Sequence, residues 1–267
     1  MKWSPQAEEA IKKVPFFIRK KVAKKVEAHA QGRGKTRVDL DDVTSLKKQF
    51  LSKGGMEKEM KGYDISTCFG REGCPNIAHA TEALFADIQL LMDQADLLTF
   101  LKAQVQGDLK FHHEFRISLS DCPNACSRPQ IVDLGIIGAQ VPGQGQADCT
   151  LCNGCVEVCP EAAITLGDQV PRIDMDLCLG CGKCIRVCPT NTLEERHKGF
   201  RVMLGGRLGR HPRLAMEVPG LFSHDQVLAL LENCLNFYKT HSKNGRRFAQ
   251  ILTSIDQVMV NPGFIRQ

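Results

Sequence analysis

Apolar positions recur at helical spacing near both ends of the chain. Over residues 5–30 they repeat every three or four positions with a break at Pro15, and Asp39 could cap a further helix through Leu51. Near the other end, two amphipathic stretches cover about 224–241 and 245–260. The pattern predicts a small helical module at the start of the chain and two helices at its end.

The middle of the chain alternates between strand and helix patterns. Residues 115–119 alternate apolar and polar side chains, as a half-buried strand does, and further strands are predicted over 130–138 and 200–204. Apolar positions over 76–92 fall on one face of a helix. Glycine-rich linkers are predicted at two places, 54–55 and 142–145.

Composition and charge limit the number of domains, the cellular location and the class of partner that we expect. The chain has 267 residues with 43% apolar content, which is enough for one or two domains plus a small module. Without an apolar leader or a run of about 18 apolar residues, we expect a cytoplasmic protein that spans no membrane. Residues 1–50 hold thirteen Lys or Arg against six acids. Because this basic module lacks interleaved aromatic residues, a solvated helix face or an acidic protein partner is favoured over nucleic acid.

Thirteen cysteines are the most informative feature of the sequence, and twelve of them fall into regular groups. The spacing C-x2-C-x2-C-x3-C-P begins at Cys149 and is repeated 29 residues later from Cys178. Disulfides are the ordinary alternative, but this close spacing in a chain without a secretion signal favours metal ligation. The thirteenth, Cys234, lies among leucines and is interpreted as a buried apolar side chain.

The repeated run resembles the bacterial two-cluster ferredoxin, in which the fourth cysteine of each run binds the other cluster. That resemblance implies a first set, Cys149, Cys152, Cys155 and Cys188, and a second set, Cys159, Cys178, Cys181 and Cys184. Each set would hold one 4Fe-4S cluster. Zinc is the alternative for paired C-x2-C hairpins, but eight cysteines and two following prolines make it improbable.

The four remaining cysteines form a third set, Cys68, Cys74, Cys122 and Cys126. The segments 67–76 and 121–129 that contain them, with the glycine turn of 199–212, resemble the sulfite and nitrite reductase haemoprotein family. The resemblance implies that the third set holds a third 4Fe-4S cluster. It also implies that Cys126 bridges this cluster to the iron of sirohaem, so that electrons pass between them without a gap.

The resemblance implies an α+β fold in three parts. Residues 60–146 and 190–267 would form a split reductase-like half-domain, with a two-cluster ferredoxin domain of residues 147–189 inserted, as in anaerobic and dissimilatory sulfite reductases. Residues 1–52 would form the helical module. This module resembles the small helical domain found in light-independent protochlorophyllide reductase, and that match says little about activity.

Candidate residues for cofactor and substrate follow from the same resemblance. Sirohaem carries carboxylates that need cations and N–H donors. The candidate cofactor ligands besides the cysteines are Arg71, Asn124, Arg128, Gly205, Gly206, Arg207 and Arg210. Ahead of the second cysteine pair the family has Lys-x-Lys for the substrate oxyanion, whereas this chain has Glu114-Phe115-Arg116. The candidate catalytic residues are Lys110, Arg116 and His211, with His112 and His113 as further possible proton donors.

The sequence therefore predicts a sirohaem-type sulfite reductase-like enzyme. Electrons from a donor protein would enter the two ferredoxin clusters, pass to the third cluster and reach sirohaem. Nitrite is the alternative oxyanion, and an electron-transfer protein or subunit without sirohaem is the alternative class. Three clusters suggest an anaerobic host. A homo-oligomer or a partner subunit is expected to cover the macrocycle.

Overall fold

The computed structural model describes residues 1–12, 14, 16–52 and 60–259. The chain divides into two compact units, Met1–Glu59 and Met60–Gln267. The linker predicted at 54–55 lies outside the described residues.

The N-terminal unit contains three helices around two short parallel strands. Its elements are β1 (Lys2–Trp3), α1 (Pro5–Lys12), α2 (Phe16–Gly32), β2 (Arg37–Val38) and α3 (Leu40–Ser52). Its small core consists of Ala7, Val26, Ala30, Val38 and Val43. The indole N–H of Trp3 donates to Glu27 Oε1 at 2.9 Å and fixes β1 to α2. The helices predicted from the periodicity are confirmed, and α3 begins directly after Asp39.

The larger unit mixes strands and helices. Its elements are β3 (Tyr63–Thr67), α4 (Glu82–Gln94), α5 (Leu97–Gln104), β4 (Phe115–Ser120), β5 (Leu134–Gln144), α6 (Gly154–Glu157), β6 (Ile164–Leu166), β7 (Pro171–Ile173), α7 (Lys183–Val187), β8 (Leu193–Leu204), β9 (Met216–Phe222), α8 (His224–His241) and α9 (Phe248–Ile251). The fold is α+β. None of the described helices combines the length and apolar character that a membrane crossing requires.

A five-stranded sheet in the order β3-β4-β5-β8-β9 organises this unit. The first three strands are parallel to one another, and β8 and β9 add antiparallel neighbours. One face, which we call the core face, carries Phe115, Ile117, Ile136 and Val202, and packs with buried side chains of α4, α5 and α8. Because side chains alternate along a strand, the other face carries Ser118, Ile137, Ala139, Arg201 and Met203. We call it the loop face.

Residues 145–192, which we call the cysteine-rich segment, connect β5 to β8. These two strands pair with each other along their whole length. Within it, β6 and β7 form a separate two-stranded sheet. The prediction of a linker at 142–145 is wrong for 142–144, because β5 continues through Gln144. The pairing register shifts between Val141 and Pro142, and such a bulge tolerates a proline in a strand.

Candidate functional site

The parallel pairing of β3 and β4 brings the two cysteine segments of the third set together. Thr67 is opposite Leu119, so both strands end at the same edge of the sheet. The Cys68 N–H donates to the Leu119 carbonyl at 3.0 Å, and Cys122 follows two residues after β4 ends. Residues separated by more than fifty positions are therefore placed side by side by ordinary strand pairing.

Asp121, which the sequence interpretation did not single out, binds the two segments to each other. Its N–H donates to Cys68 Sγ at 3.3 Å. Its buried carboxylate accepts from the Thr81 N–H at 2.9 Å and the Thr81 hydroxyl at 2.6 Å. Its carbonyl accepts from the N–H groups of Ala78 and His79. A Cβ on Gly70 would lie only 1.6 Å from Asp121 Oδ2, so this approach requires glycine.

Three serines hold the loop that carries Cys126 against β4. The Ser118 hydroxyl donates to the Ser127 carbonyl at 2.7 Å, and the hydroxyls of Ser120 and Ser127 lie 2.6 Å apart. Ser127 also donates to the Leu119 carbonyl at 2.7 Å. Ser118 and Ser120 are buried, although their alternation with apolar residues predicted the polar side of a half-buried strand. These contacts position Cys126, which is itself exposed.

The thiols of the third set influence one another electrostatically. Burial is the main cause that raises the pKa of Cys122, and the charges of Cys126, Cys74 and Cys68 raise it further. The sulfur of Cys68 accepts hydrogen bonds from the N–H groups of Gly70 (3.4 Å) and Asp121. N–H donors of this kind stabilise a thiolate and are a known means of adjusting the potential of a cluster.

The first set surrounds one pocket. Cys149, Cys152, Cys155 and Cys188 all line it. The Leu151 N–H donates to Cys149 Sγ at 3.3 Å. Burial opposes ionisation of Cys188, but hydrogen bonds from the Leu193 N–H and the Thr190 hydroxyl give it a pKa below the ordinary value. The pocket thus brings together the four sulfurs that the ferredoxin resemblance assigns to one cluster.

The second set is also grouped. Burial raises the pKa of Cys184 to about 12, and the charges of Cys178 and Cys181 contribute. Burial likewise raises the pKa of Cys178, with a smaller contribution from the charges of Cys181 and Cys159. Within the described ranges, no three Cys, His, Asp or Glu side chains meet as ligands of a single ion would. A cluster does not require such a point, because its four thiolates bind four different iron atoms.

The loop of the second set lies on the sheet. The Gln140 N–H donates to the Gly180 carbonyl at 2.7 Å, and a bridge joins Gln140 to Cys181. Gly180 has a φ of 69°, and a Cβ there would lie 3.2 Å from the Cβ of Ala139. Two residues before Ala139 on the same face, Ile137 packs with Ala125 of the third set's loop. Strand residues two apart are separated by roughly 7 Å, so the loops of the second and third sets occupy neighbouring positions on the loop face.

The glycine turn between β8 and β9 is held by contacts within the chain. Arg207 and Arg213 pair through their backbones. Arg207 donates to the carbonyls of His211 (2.9 Å) and Ala249 (3.1 Å), so it fastens the turn to α9. A Cβ on Gly205 would meet Arg213 at 2.8 Å, and one on Gly206 would meet the Gln130 carbonyl at 2.5 Å. Close packing within the chain accounts for Gly205, Gly206 and Arg207, and their role at a cofactor stays a prediction.

Other predicted cofactor residues lie in more open positions. Asn124, Arg128 and Arg210 are exposed. The side chains of Arg128 and Arg210 make no hydrogen bond or ion pair with any residue that the structure describes. Phe69, next to Cys68, is 74% exposed. The side chain of Arg71 lies outside the described part of the chain.

Two of the three predicted catalytic residues, Lys110 and Arg116, lie at the opposite end of β4 from Cys126. Lys110 precedes β4 and Arg116 lies at its beginning, whereas Cys122 follows its other end. Six strand residues correspond to about 20 Å. Arg116 donates to the Phe111 carbonyl at 3.4 Å, and His211 is exposed on the glycine turn. The length of β4 therefore separates Lys110 and Arg116 from Cys126, and the catalytic role of these residues stays a prediction.

Comparison with protein families gives two matches. Residues 64–256, more than half of the chain, match the "Nitrite and sulphite reductase 4Fe-4S domain" family. Residues 3–47 match the "Proto-chlorophyllide reductase 57 kD subunit" family.

Individual relatives give the same two similarities. The coenzyme F420-dependent sulfite reductase of Methanocaldococcus jannaschii is 35% identical over 135 residues, 51% of this chain and 22% of that protein. A light-independent protochlorophyllide reductase subunit of Heliobacterium modesticaldum is 43% identical over 54 residues, 20% of this chain and 10% of that one. A crystal structure of dissimilatory sulfite reductase I aligns with a TM-score of 0.47 and 18% identity, covering 69% of this chain and 48% of that chain.

The chain thus spans only a fraction of the length of the curated relatives it matches. The family match nevertheless includes both segments of the third set and extends across the whole sheet. The chain belongs to the nitrite and sulphite reductase 4Fe-4S domain family.

Proposed function

We propose that this protein is a sirohaem-dependent, sulfite reductase-like oxidoreductase with three 4Fe-4S clusters in series. Electrons from a donor protein enter at the first and second sets, pass to the third set and are used to reduce sulfite. The observation that carries this proposal is the position of the second set's loop on the loop face, next to the loop of Cys122 and Cys126. That proximity suits transfer from one cluster to the next.

The proposed division of the chain follows the sequence expectation, with residues 1–52, 60–146 with 190–267, and 147–189 as its parts. The pairing of β5 with β8 supports an insertion, because the sheet remains continuous on both sides of the cysteine-rich segment. Its separate sheet, β6 with β7, also supports a ferredoxin-like part.

The residues around Cys126 fit sirohaem in part. Cys126 offers an exposed thiol as a ligand for the iron, and Arg128, two residues later, offers a cation for a carboxylate. Arg210, exposed on the glycine turn, is a second candidate cation. Sirohaem, when bound there, would supply the iron at which the oxyanion is reduced. Cys126 would hold it next to the third cluster, and Arg128 and Arg210 would bind its carboxylates. A second copy of the chain or a partner subunit would cover its outer side.

An electron-transfer protein without sirohaem is the second candidate. It is favoured by the engagement of Arg207 within the chain and by the distance of Lys110 and Arg116 from Cys126. Nitrite in place of sulfite is the alternative substrate within the first proposal. In either case the exposed lysines of α2, Lys20, Lys21, Lys24 and Lys25, suit an acidic donor protein.

Iron content and the visible spectrum of anaerobically purified protein separate the candidates. We expect about thirteen irons per chain, four for each set of four thiolates and one in sirohaem, together with the absorption bands of sirohaem. About twelve irons without sirohaem, even after the macrocycle is supplied, would leave the electron carrier as the function. About eight irons or fewer would contradict the three-cluster proposal.

Arginine variants test the macrocycle site. Arg128→Gln and Arg210→Gln should each lower the sirohaem content while all three clusters remain, because each loses a charge for a carboxylate and no hydrogen bond among the described residues. Arg207→Gln should instead loosen the glycine turn and lower thermal stability, since the His211 carbonyl loses its donor and the Ala249 carbonyl keeps only Arg213. Sirohaem and iron measured on the same samples check this. Equal sirohaem content in the unmodified protein and in the Arg128 and Arg210 variants would refute the assignment.

A further inference from the structure

Arg201 is the one arginine of β8 and β9 whose guanidinium contacts the loop of the second set among the described residues. Its Nη1 donates to the Leu179 carbonyl at 3.4 Å, directly after Cys178. The opposite edge of the guanidinium, Nε and Nη2, binds both oxygens of Glu217 at 2.6 and 2.7 Å. A two-point contact of this kind fixes the orientation of the charge. The side chain is only 18% exposed.

The same residue is adjacent to the third set. Arg201 is directly opposite Ile137 in the pairing of β5 with β8, so their side chains are neighbours on the loop face. Ile137 in turn packs with Ala125, between Cys122 and Cys126. Arg201 therefore lies between the two loops where an electron would pass from the second cluster to the third.

We propose that Arg201 is a tuning residue that raises the reduction potential of the second cluster, and that Glu217 moderates this effect. The inference rests on the proposed function, specifically on clusters bound at the second and third sets. Each transfer oxidises the second cluster by one electron and reduces the third by one, without making or breaking a bond. A one-electron donor protein re-reduces the second cluster through the first.

The direction of the effect follows from charge. A reduced cluster carries one more negative charge, and a nearby cation in a partly buried position stabilises it. Glu217 has the opposite effect, but it lies on the far edge of the guanidinium and is 41% exposed, so solvent weakens its field. The balance should favour the reduced state of the second cluster.

Arg186 provides a matched control. Its Nη1 donates to the Cys181 carbonyl, also at 3.4 Å, but the side chain is exposed and binds no described carboxylate. Both arginines therefore contact a carbonyl of the same loop, and they differ in burial and in position relative to the third set. Removal of Arg186 should have the smaller effect, because its charge is screened by water.

The test is an electron-paramagnetic-resonance redox titration of the anaerobic holoprotein, with dithionite as reductant and dye mediators. The second cluster is identified by its loss in Cys181→Ser. In Arg201→Gln we expect the reduced-to-oxidised ratio of that cluster to fall about tenfold at a fixed potential, equivalent to about 59 mV for one electron. The first cluster should stay unchanged. In Arg201→Lys the ratio should lie between those of the unmodified protein and Arg201→Gln. In Glu217→Gln the ratio should be higher than in the unmodified protein.

Several results would overturn this assignment. One is a shift in Arg201→Gln no larger than in Arg186→Gln, and another is an equal shift of all three clusters. If Arg201→Gln loses iron, the Glu217→Gln variant becomes the test. In that variant the reduced-to-oxidised ratio of the second cluster should rise, and a fall or no change would contradict the proposal. Failure of the proposed function is distinguished beforehand, since it would appear as missing iron or missing sirohaem in the unmodified protein. The potentials of bound clusters can be measured whether or not sulfite is reduced.

Discussion

Cys126→Ser should abolish both the third cluster and sirohaem binding, leaving about eight of about thirteen irons, since sirohaem takes one iron with it. The thiol is exposed at the end of a loop held by buried serines, so a serine there removes a ligand without disturbing the core. The first and second sets lie on a different segment of chain and should keep their clusters. Iron, acid-labile sulfide and the visible spectrum, measured anaerobically, check this result.

Two further cysteine variants make the comparison specific. Cys68→Ser should disturb the third cluster but allow partial macrocycle binding, because Cys68 would bind only the cluster. The hydroxyl of the substituted serine could still accept from the N–H groups of Gly70 and Asp121. Cys234→Ala removes the cysteine buried on α8 and should change neither iron nor spectrum. A complete sirohaem spectrum in the Cys126 variant would show that this residue is not the bridge.

The strong local patterns of the sequence predicted several elements well. The strand over 115–119 is confirmed as β4, and the helix over 224–241 has the same bounds as α8. Both have regular periodicity, and α8 also begins with a capping serine, Ser223, that bonds the Gln226 N–H. Local sequence was sufficient where the chain's own hydrogen bonds complete the element.

Other elements depend on contacts that no local pattern reports. The helix predicted over 76–92 begins only at Glu82, because the preceding N–H groups donate to Asp121. In its described part, the helix predicted over 245–260 is broken into one α-helical turn, α9, and a 3-10 turn at Ile255–Gln257. There the Arg213 guanidinium donates to the carbonyls of Ala249 and Leu252, which would otherwise accept from the N–H groups of the next helical turn. In both places a distant polar side chain replaces helical bonds.

The candidate functional site was also predicted only in part. The resemblances, which rest on the cysteine segments, implied which sulfurs should be close, and the four sulfurs of the first set do line one pocket. The positions of Lys110 and Arg116 relative to Cys126 depended on the length and direction of β4, which spacing alone does not give. Asp121 and Ser127 could have been suspected only from their places next to Cys122 and Cys126.

Asp133→Ala should be the most destabilising substitution outside the cysteine sets, with a loss of about 3 kcal/mol or more in the free energy of unfolding. The carboxylate is 1% exposed and accepts from the N–H groups of Arg116 (2.9 Å) and Ala249 (3.1 Å). Arg247 lies 3.8 Å from it and would lose its only described carboxylate. Burial raises the pKa of Asp133 even though Arg247 and both N–H groups favour its charged form.

The consequence of losing Asp133 should extend to the glycine turn, because the Asp133 side chain holds Ala249, whose carbonyl binds Arg207 and Arg213. Asp133→Asn should cost less, since the amide oxygen still accepts one N–H. Urea unfolding of the anaerobic protein, followed by circular dichroism, measures the change in midpoint. Adding Arg247→Met to Asp133→Ala should cost less than the sum of the single changes, because no buried charge is then left unpaired. Strict additivity would show that the two side chains do not stabilise the fold as a pair.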